Sequence, residues 1–374
     1  MMSLLRALAI RMINLVIVMF LVLIIISAVL SGPAAHILKV SIERQAAEQV
    51  AHLVLHNPQL TPQQQQQLRN KIVSQLENAY GLNQPLIIRV FYILYNIMTF
   101  NWGFSYYPDE YGIPSGRVVS IIMSALPGTI ILDTLGIMLS ALIGIWLGLR
   151  AAFKHGTLYD KAVMYYGAFD IGLPQWWIAI LMILIFAVEL RLIHSPIAFP
   201  YGGIVSPQYY NYWLYSTYKV FLDIKMLTNL LWHMVLPLAT VLIVNIGGWA
   251  YFARSIVLNI IREDYVTFAR IKGIPENMVV NKYILRPALP TILTNIFLTI
   301  PFIIFGGFLL TEAVFHWWGL GYVLNIAIVG VPSPDMPVIL ATTYMSTVLY
   351  IILVFILEIL YYVVDPRIRE SSGV

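Results

Sequence analysis

Six stretches of this chain run for 18 to 26 residues with hardly a charged side chain, near 13–30, 124–149, 166–188, 234–253, 291–311 and 338–362. About 20 apolar residues in a helix cross the hydrocarbon core of a bilayer, and a helix satisfies its own backbone polar groups there. The composition fits that environment, since 60% of the residues are hydrophobic and 11% are charged, against roughly 25% charged in a soluble domain. An ordinary soluble enzyme is excluded. The expected fold class is an all-α polytopic membrane protein with six transmembrane helices.

The first run follows Arg6 and Arg11 and precedes the small residues Ser27, Ala28 and Ala34, as a secretory signal does. Its apolar stretch of about 18 residues is longer than a cleaved signal uses, so it is expected to remain as the first helix. The run from Leu86 to Phe100 is apolar too, but it has 15 residues and contains Arg89. That length suits a helix lying in the membrane interface.

Basic residues set the orientation, because loops rich in Lys and Arg stay on the cytoplasmic side. Alternate segments hold Arg6 and Arg11; Arg150, Lys154 and Lys161; Arg254, Arg262, Arg270, Lys272, Lys282 and Arg286; and Arg367 and Arg369, which is 13 of the 22 basic residues. The other nine are spread over about twice the length of chain. Both termini are therefore expected in the cytoplasm, with the protein a multi-pass component of the plasma membrane. With a net charge of +4 and no concentrated basic patch, nucleic acid is not an expected partner. The absence of cysteine excludes disulfides, thiolate metal sites and cysteine nucleophiles.

The organisation expected is a first segment over 1–30, a helical extracytoplasmic insertion over 31–118, and a five-helix core over 119–374 with a cytoplasmic loop at 254–290. Within the insertion Thr61 can cap a helix with Pro62 in its first turn. Leu68, Ile72, Leu76 and Tyr80 then share one face, and Gly81 can end it. No internal repeat is visible.

The loop between the fourth and fifth runs reads EDYVTFARIKGIPENMVVNKYILRPALP from Glu263. Glu263 and Asp264 stand where a helix would begin and Arg270 and Lys272 where it would end, as the helix dipole favours. Gly273 can take the left-handed conformation that stops it, and Pro275 suits the start of a second helix. A short helix held between rigid spans transmits a push into the membrane. A merely solvated charged loop is the plainer alternative for that segment.

The segment DYVTFARIKG, Asp264 to Gly273, resembles the cytoplasmic signature loop of the permease subunits of binding-protein-dependent ATP-binding cassette importers, in the dipeptide and oligopeptide branch. GLNQP at Gly81–Pro85, NWGFS at Asn101–Ser105 and LPGT at Leu126–Thr129 resemble the lead into that family's second span. LPQWW at Leu173–Trp177 resembles the start of its third, EAVFHWWGLG at Glu312–Gly321 the external end of its fifth, and DPRIR at Asp365–Arg369 its close. Departures are Ile271 for a usual alanine, Trp318 for proline, Asn83 and Asn101 for aspartate, and Glu358 for aspartate. An acid usual in the second span is replaced by Ile131, with Asp133 about 200° further round the helix.

The resemblance implies the type I ABC importer permease fold and a helix that docks into a cleft on an ATPase subunit. The coupling residues would be Asp264, Tyr265, Ala269, Arg270, Lys272 and Gly273. Implied partners are a second homologous permease in a heterodimer, two ATP-binding cassette ATPases and an extracytoplasmic substrate-binding protein. No cofactor is expected in this chain, since it has no phosphate loop ending in Lys followed by Ser or Thr; ATP and Mg would sit on the ATPase subunits. Dipeptides or oligopeptides are the substrates implied first, with oligosaccharides or nickel as alternatives.

Other candidate sites have plainer readings beside them. Glu48, His52 and His56 recur every four residues and could ligate a metal, although an exposed polar face explains them equally. Asp133 and Asn245 fall deep in runs and could face a translocation path or pair with a neighbouring helix; Asp170, Glu189 and Glu358 fall near run ends. Gly136, Gly144 and Gly148 point to tight helix packing, and Pro301, Gly306 and Gly307 to a kink or close contact. An intramembrane enzyme would need a GxGD string or a Gly-x-Ser-x-Gly elbow, and neither occurs. A stand-alone channel would leave the docking signature unexplained.

Overall fold

The computed structural model describes residues 2–31, 35–56, 60–79, 82, 84–302, 309–332 and 334–364. Among them the backbone is helical, with one isolated bridge between Phe104 and Arg117 in place of a sheet. In chain order the helices are α1 (Met2–Ser31), α2 (Ala35–His56), α3 (Pro62–Ala79), α4 (Leu86–Met98), α5 (Val118–Phe153) and α6 (Leu158–Asp170). They continue with α7 (Gln175–Leu192), α8 (Pro207–Leu222), α9 (Ile224–Ile261), α10 (Asp264–Ile271), α11 (Arg286–Phe302), α12 (Leu309–Val314), α13 (Leu320–Asn325) and α14 (Met336–Val364).

Four helices among the described residues are long and apolar enough to cross a membrane: α5, α7, α9 and α14 as far as Ile356. The first predicted span falls in α1, whose apolar stretch is Met12–Ile25. The fifth falls on α11 and α12, but 303–308, with Gly306 and Gly307, and the side chain of Pro301 lie outside the described residues. α5 and α9 run for 36 and 38 residues, well past the predicted spans at both ends.

The third span requires a correction. The run predicted over 166–188 is cut at 171–174, where α6 stops at Asp170 and α7 starts at Gln175. Pro174 has no N–H to continue a helix and takes an extended conformation (φ −67°, ψ 119°). The membrane-length segment is Gln175–Leu192. Residues before the break looked like part of the span because α6 turns Gly167 and Asp170 onto α9: an added Cβ at Gly167 would come within 2.7 Å of the Gly247 carbonyl oxygen. Burial against protein and burial in lipid leave the same apolar signature.

The chain divides into two compact units. One comprises Met1–Met12, Ser124–Tyr322 and Leu349–Val374; the other comprises Ile13–Met123 and Val323–Val348. In the first, the predicted glycine stripe packs α5 on α9. A Cβ at Gly136 would come 2.6 Å from Val241 Cγ1 and one at Gly144 2.5 Å from Trp249 Cβ, while Gly148 lies against the Ala250 backbone.

In the second unit, α3 begins with the expected reciprocal cap: Thr61 N–H donates to Gln64 Oε1 at 3.0 Å, and Gln64 N–H to Thr61 Oγ1 at 3.4 Å. Tyr80 and Gly81 lie outside the described residues. Ile42, Leu82 and Tyr106 form a small core with Val73, Leu76 and Met336. Asp335, fully buried, accepts from Ser105 Oγ at 2.5 Å and Tyr111 Oη at 3.2 Å, tying the segment before α5 to the start of α14. α4 has 13 residues, about 20 Å, too short to span. It buries Leu94 and Ile97 and exposes Ile87, Phe91 and Tyr95.

Candidate functional site

The corner after the fourth predicted span is built from α10. Glu263 is its extended N-cap, Asp264 lies in the first turn and Arg270 in the last. The helix ends at Gly273 with φ +71°, and two hydrogen bonds close it: Gly273 N–H to the Arg270 carbonyl at 2.9 Å and Ile274 N–H to the Ala269 carbonyl at 3.3 Å. These are the paired bonds of a Schellman cap, which needs a left-handed residue at that position. Pro275 then caps a single turn, Glu276–Met278, that continues as a wider π-helical turn over Val279–Leu285 and joins α11. The two short helices and the stop between them match the pattern expected from the sequence, with Pro275 one place before the second helix instead of inside it.

The two faces of α10 differ. Val266 and Ala269 are buried in a cluster that takes Ala152 from α5, Val257 from α9, Val279 and Ile284 from the π-helical turn, and Ala288 and Ile292 from α11. Ile274 also packs against it. On the other face Phe268 is 58% and Ile271 77% exposed, with Tyr265 half exposed beside them. Lys272 places its Nζ 4.5 Å above the Phe268 ring, a cation–π contact that covers part of the apolar surface.

Beyond its place near the helix end and among the implied coupling residues, Arg270 has a further task in the structure. Its Nε and Nη2 donate to the Glu276 carboxylate at 3.2 and 2.8 Å, clasping the corner across Gly273. Hydrogen bonding to Arg270 lowers the Glu276 pKa. Both side chains are largely exposed, so solvent screens the attraction and the pair fixes geometry more than it stabilises.

A second ionic cluster was missed. Asp160, buried in the first turn of α6, is bound by Arg254 of α9 through both Nε and Nη2, accepts from Gly156 N–H at 2.9 Å, and lies 3.0 Å from His155 Nδ1. The hydrogen bond from Arg254 holds its pKa at about 2. Thr157, three residues earlier, caps the helix and accepts from Asp160 N–H. That Thr-x-x-Asp spacing was the available signal. The cluster binds the turn after α5 to the C-terminal part of α9.

The two residues singled out for a translocation path are not joined by a hydrogen bond. Asp133 is 1% exposed, and neither carboxylate oxygen has a hydrogen-bond partner among the described residues. Asn245 turns its amide back on its own helix, donating to the Val241 carbonyl at 2.7 Å. Asp170, at the end of α6, accepts from Gly248 N–H at 2.8 Å. The side chains of Glu48, His52, His56 and Glu358 lie outside the described residues.

Two motifs that the sequence separates by more than 180 residues meet in space. Glu312 accepts from Thr129 Oγ1 at 2.7 Å, Gly321 N–H at 2.6 Å and Tyr322 N–H at 3.3 Å, while Leu320 N–H donates to Thr129 Oγ1 at 2.7 Å. Trp317 Nε1 donates to the Gly128 carbonyl at 2.9 Å and Trp318 Nε1 to Ser124 Oγ at 3.0 Å. Gly319 sits directly against the Glu312 carboxylate, with no room for a Cβ. LPGT and EAVFHWWGLG are thus one buried lock.

Comparison with known proteins bears on this arrangement. A family model described as the binding-protein-dependent transport system inner membrane component matches residues 140–370, which include α10 and the corner. The oligopeptide transport system permease protein AppB of Bacillus subtilis is 30% identical over 79% of this chain and 84% of that protein. The inner membrane ABC transporter permease protein YejB of Escherichia coli O157:H7 is 28% identical over 80% of this chain and 76% of its own length. The metal-staphylopine import system permease protein CntB of Staphylococcus aureus is 26% identical over 87% and 90%. On a family match over most of its length and a relative 30% identical over 79% of it, the chain belongs to the inner membrane permease components of binding-protein-dependent transport systems.

Proposed function

We propose that this permease forms one half of a transmembrane pathway for peptides, paired with a second permease and driven by two ATPase subunits, with an extracytoplasmic binding protein delivering the substrate. The observation that carries the coupling is the two-faced α10. Its inner face is packed onto the ends of α5, α9 and α11, and its outer face exposes Phe268 and Ile271. Exposed apolar side chains on a charged loop fit a partner surface. ATP and Mg bind the partner chains; closure of the ATPases moves α10, and the packed spans rock between inward-open and outward-open states. Asp264, Tyr265, Ala269, Arg270, Lys272 and Gly273 build and present the contact, with Ala269 acting on the inner side. Both termini lie in the cytoplasm.

Peptides are the favoured substrate because the relative with 30% identity is an oligopeptide permease by name. The likeness to a metal-staphylopine permease supports a second reading, import of a metal bound to a small chelator. The complete importer, reconstituted in vesicles with ATP inside and binding protein outside, separates them: ATP-dependent uptake of di- to pentapeptides is expected. Uptake of chelated metal without peptide uptake would replace the first reading by the second. Uptake by the permease without ATPases would remove both.

A further inference from the structure

We propose that the cavity between the end of α7 and the start of α9 receives the C-terminal carboxylate of a peptide, with Arg191 as its anchor. The inference rests on the peptide-import reading. The cavity holds about 630 Å³, within the range of small-molecule sites. Arg191 is the one formally charged residue lining it, and no acidic residue lines it. Among the described residues Arg191 makes no ion pair; its guanidinium lies 5.6 Å from the Tyr201 ring centre. Stacking of this kind steadies a guanidinium while leaving its N–H donors available for a planar, two-pronged acceptor.

The rest of the cavity is held by bonds within the chain, so its shape is present before any ligand arrives. Ser206 N–H donates to Asn229 Oδ1 and Asn229 Nδ2 to Ser206 Oγ, both at 2.8 Å. Gly203, at φ +87°, donates its N–H to the Phe315 carbonyl at 2.8 Å. Trp232 stacks on Phe199 at 4.4 Å. His233 lies 2.9 Å through Nδ1 from the Asn229 carbonyl. A carbonyl only accepts, so Nδ1 carries the proton, and when the ring is neutral Nε2 is an acceptor. A guanidinium and an imidazole acceptor lining one aromatic-walled cavity are the groups that would suit the end of a peptide, where a carboxylate neighbours an amide N–H. A simple anion would leave the imidazole unused.

The test uses the complete importer in vesicles and two forms of one tripeptide, the free acid and the C-terminal amide. Binding-protein affinity for each form is measured separately and divided out. Arg191→Gln is expected to lower the ratio of free-acid to amide uptake by about tenfold, with Arg191→Lys keeping part of it because it retains charge without the planar fork. Co-purification of the ATPases checks that each variant assembles. An unchanged ratio overturns the proposal. So does an equal loss for both forms, which would assign Arg191 to contact with the binding protein. If the unmodified importer carries neither form of peptide, the peptide reading itself fails, an outcome distinct from either of these.

Discussion

At the Glu312 end of the core, Glu312, Thr129, Trp317 and Trp318 each find a polar partner within the same chain, and all four are buried. At the Asp264–Gly273 end, by contrast, Phe268 and Ile271 stand outward at 58% and 77% exposure, while the backbone beneath them is capped and clasped. Both stretches are equally conspicuous as sequence motifs. The difference shows that one is finished internally, whereas the other keeps a stiff, partly apolar surface uncovered, as the proposed docking requires. The same contrast separates what a substitution does to folding from what it does to assembly.

The largest effect on folding belongs to the internal lock. Glu312→Ala leaves two backbone N–H groups and a hydroxyl without their acceptor, at about 1–3 kcal/mol for each buried group. The variant is expected to melt well below the parent in detergent; an unchanged melting temperature would show that the lock does not bear on stability. Phe268→Asp with Ile271→Asp should do the reverse. Exposed substitutions leave the melting temperature close to that of the parent, but losing about 1.5–3 kcal/mol of burial per side chain is expected to lower ATPase co-purification by at least about tenfold. Parent-like co-purification would place the ATPase elsewhere.

Gly273→Val sharpens the boundary between these cases. A Cβ at Gly273 meets no atom within 4 Å, so the cost inside the chain is the left-handed conformation, about 1–2 kcal/mol. A small drop in melting temperature with a larger loss of ATP-driven uptake is expected; equal fractional losses would make the residue purely structural. The smallest effect is that of pH on the Asp160 cluster. A carboxylate held at about 2 adds stability above its unfolded value near 4 and loses it only as pH falls toward the folded value. The melting difference between the parent and Asp160→Asn should therefore stay flat from about pH 5 to 8 and shrink below about pH 4. A decline between pH 8 and 6 would point to another titrating group.

Local signals were legible where local physics decides. The cap at Thr61, the stop at Gly273, the charges along α10 and the close packing at Gly136 and Gly144 all follow from neighbouring residues or helix spacing. The interruption before α7 was harder to place, because α6 is apolar toward α9 and merges with the following span in a hydropathy reading. The Asp160–Arg254 pair and the union of LPGT with the HWWGLG segment join residues 94 and more than 180 positions apart, a distance over which no periodicity carries information. The place of Arg270 near a helix end is local and readable, whereas its bond to Glu276 exists only once the corner is folded.

The contact between α5 and α9 also limits how this permease moves. Where Gly144 and Gly148 admit Trp249 and the Ala250 backbone, the two helices mesh too closely to slip or roll independently without first coming apart. On the proposed mechanism they would move as a single beam, and the compliance needed for alternating access would reside in the thinner connections on either side of it.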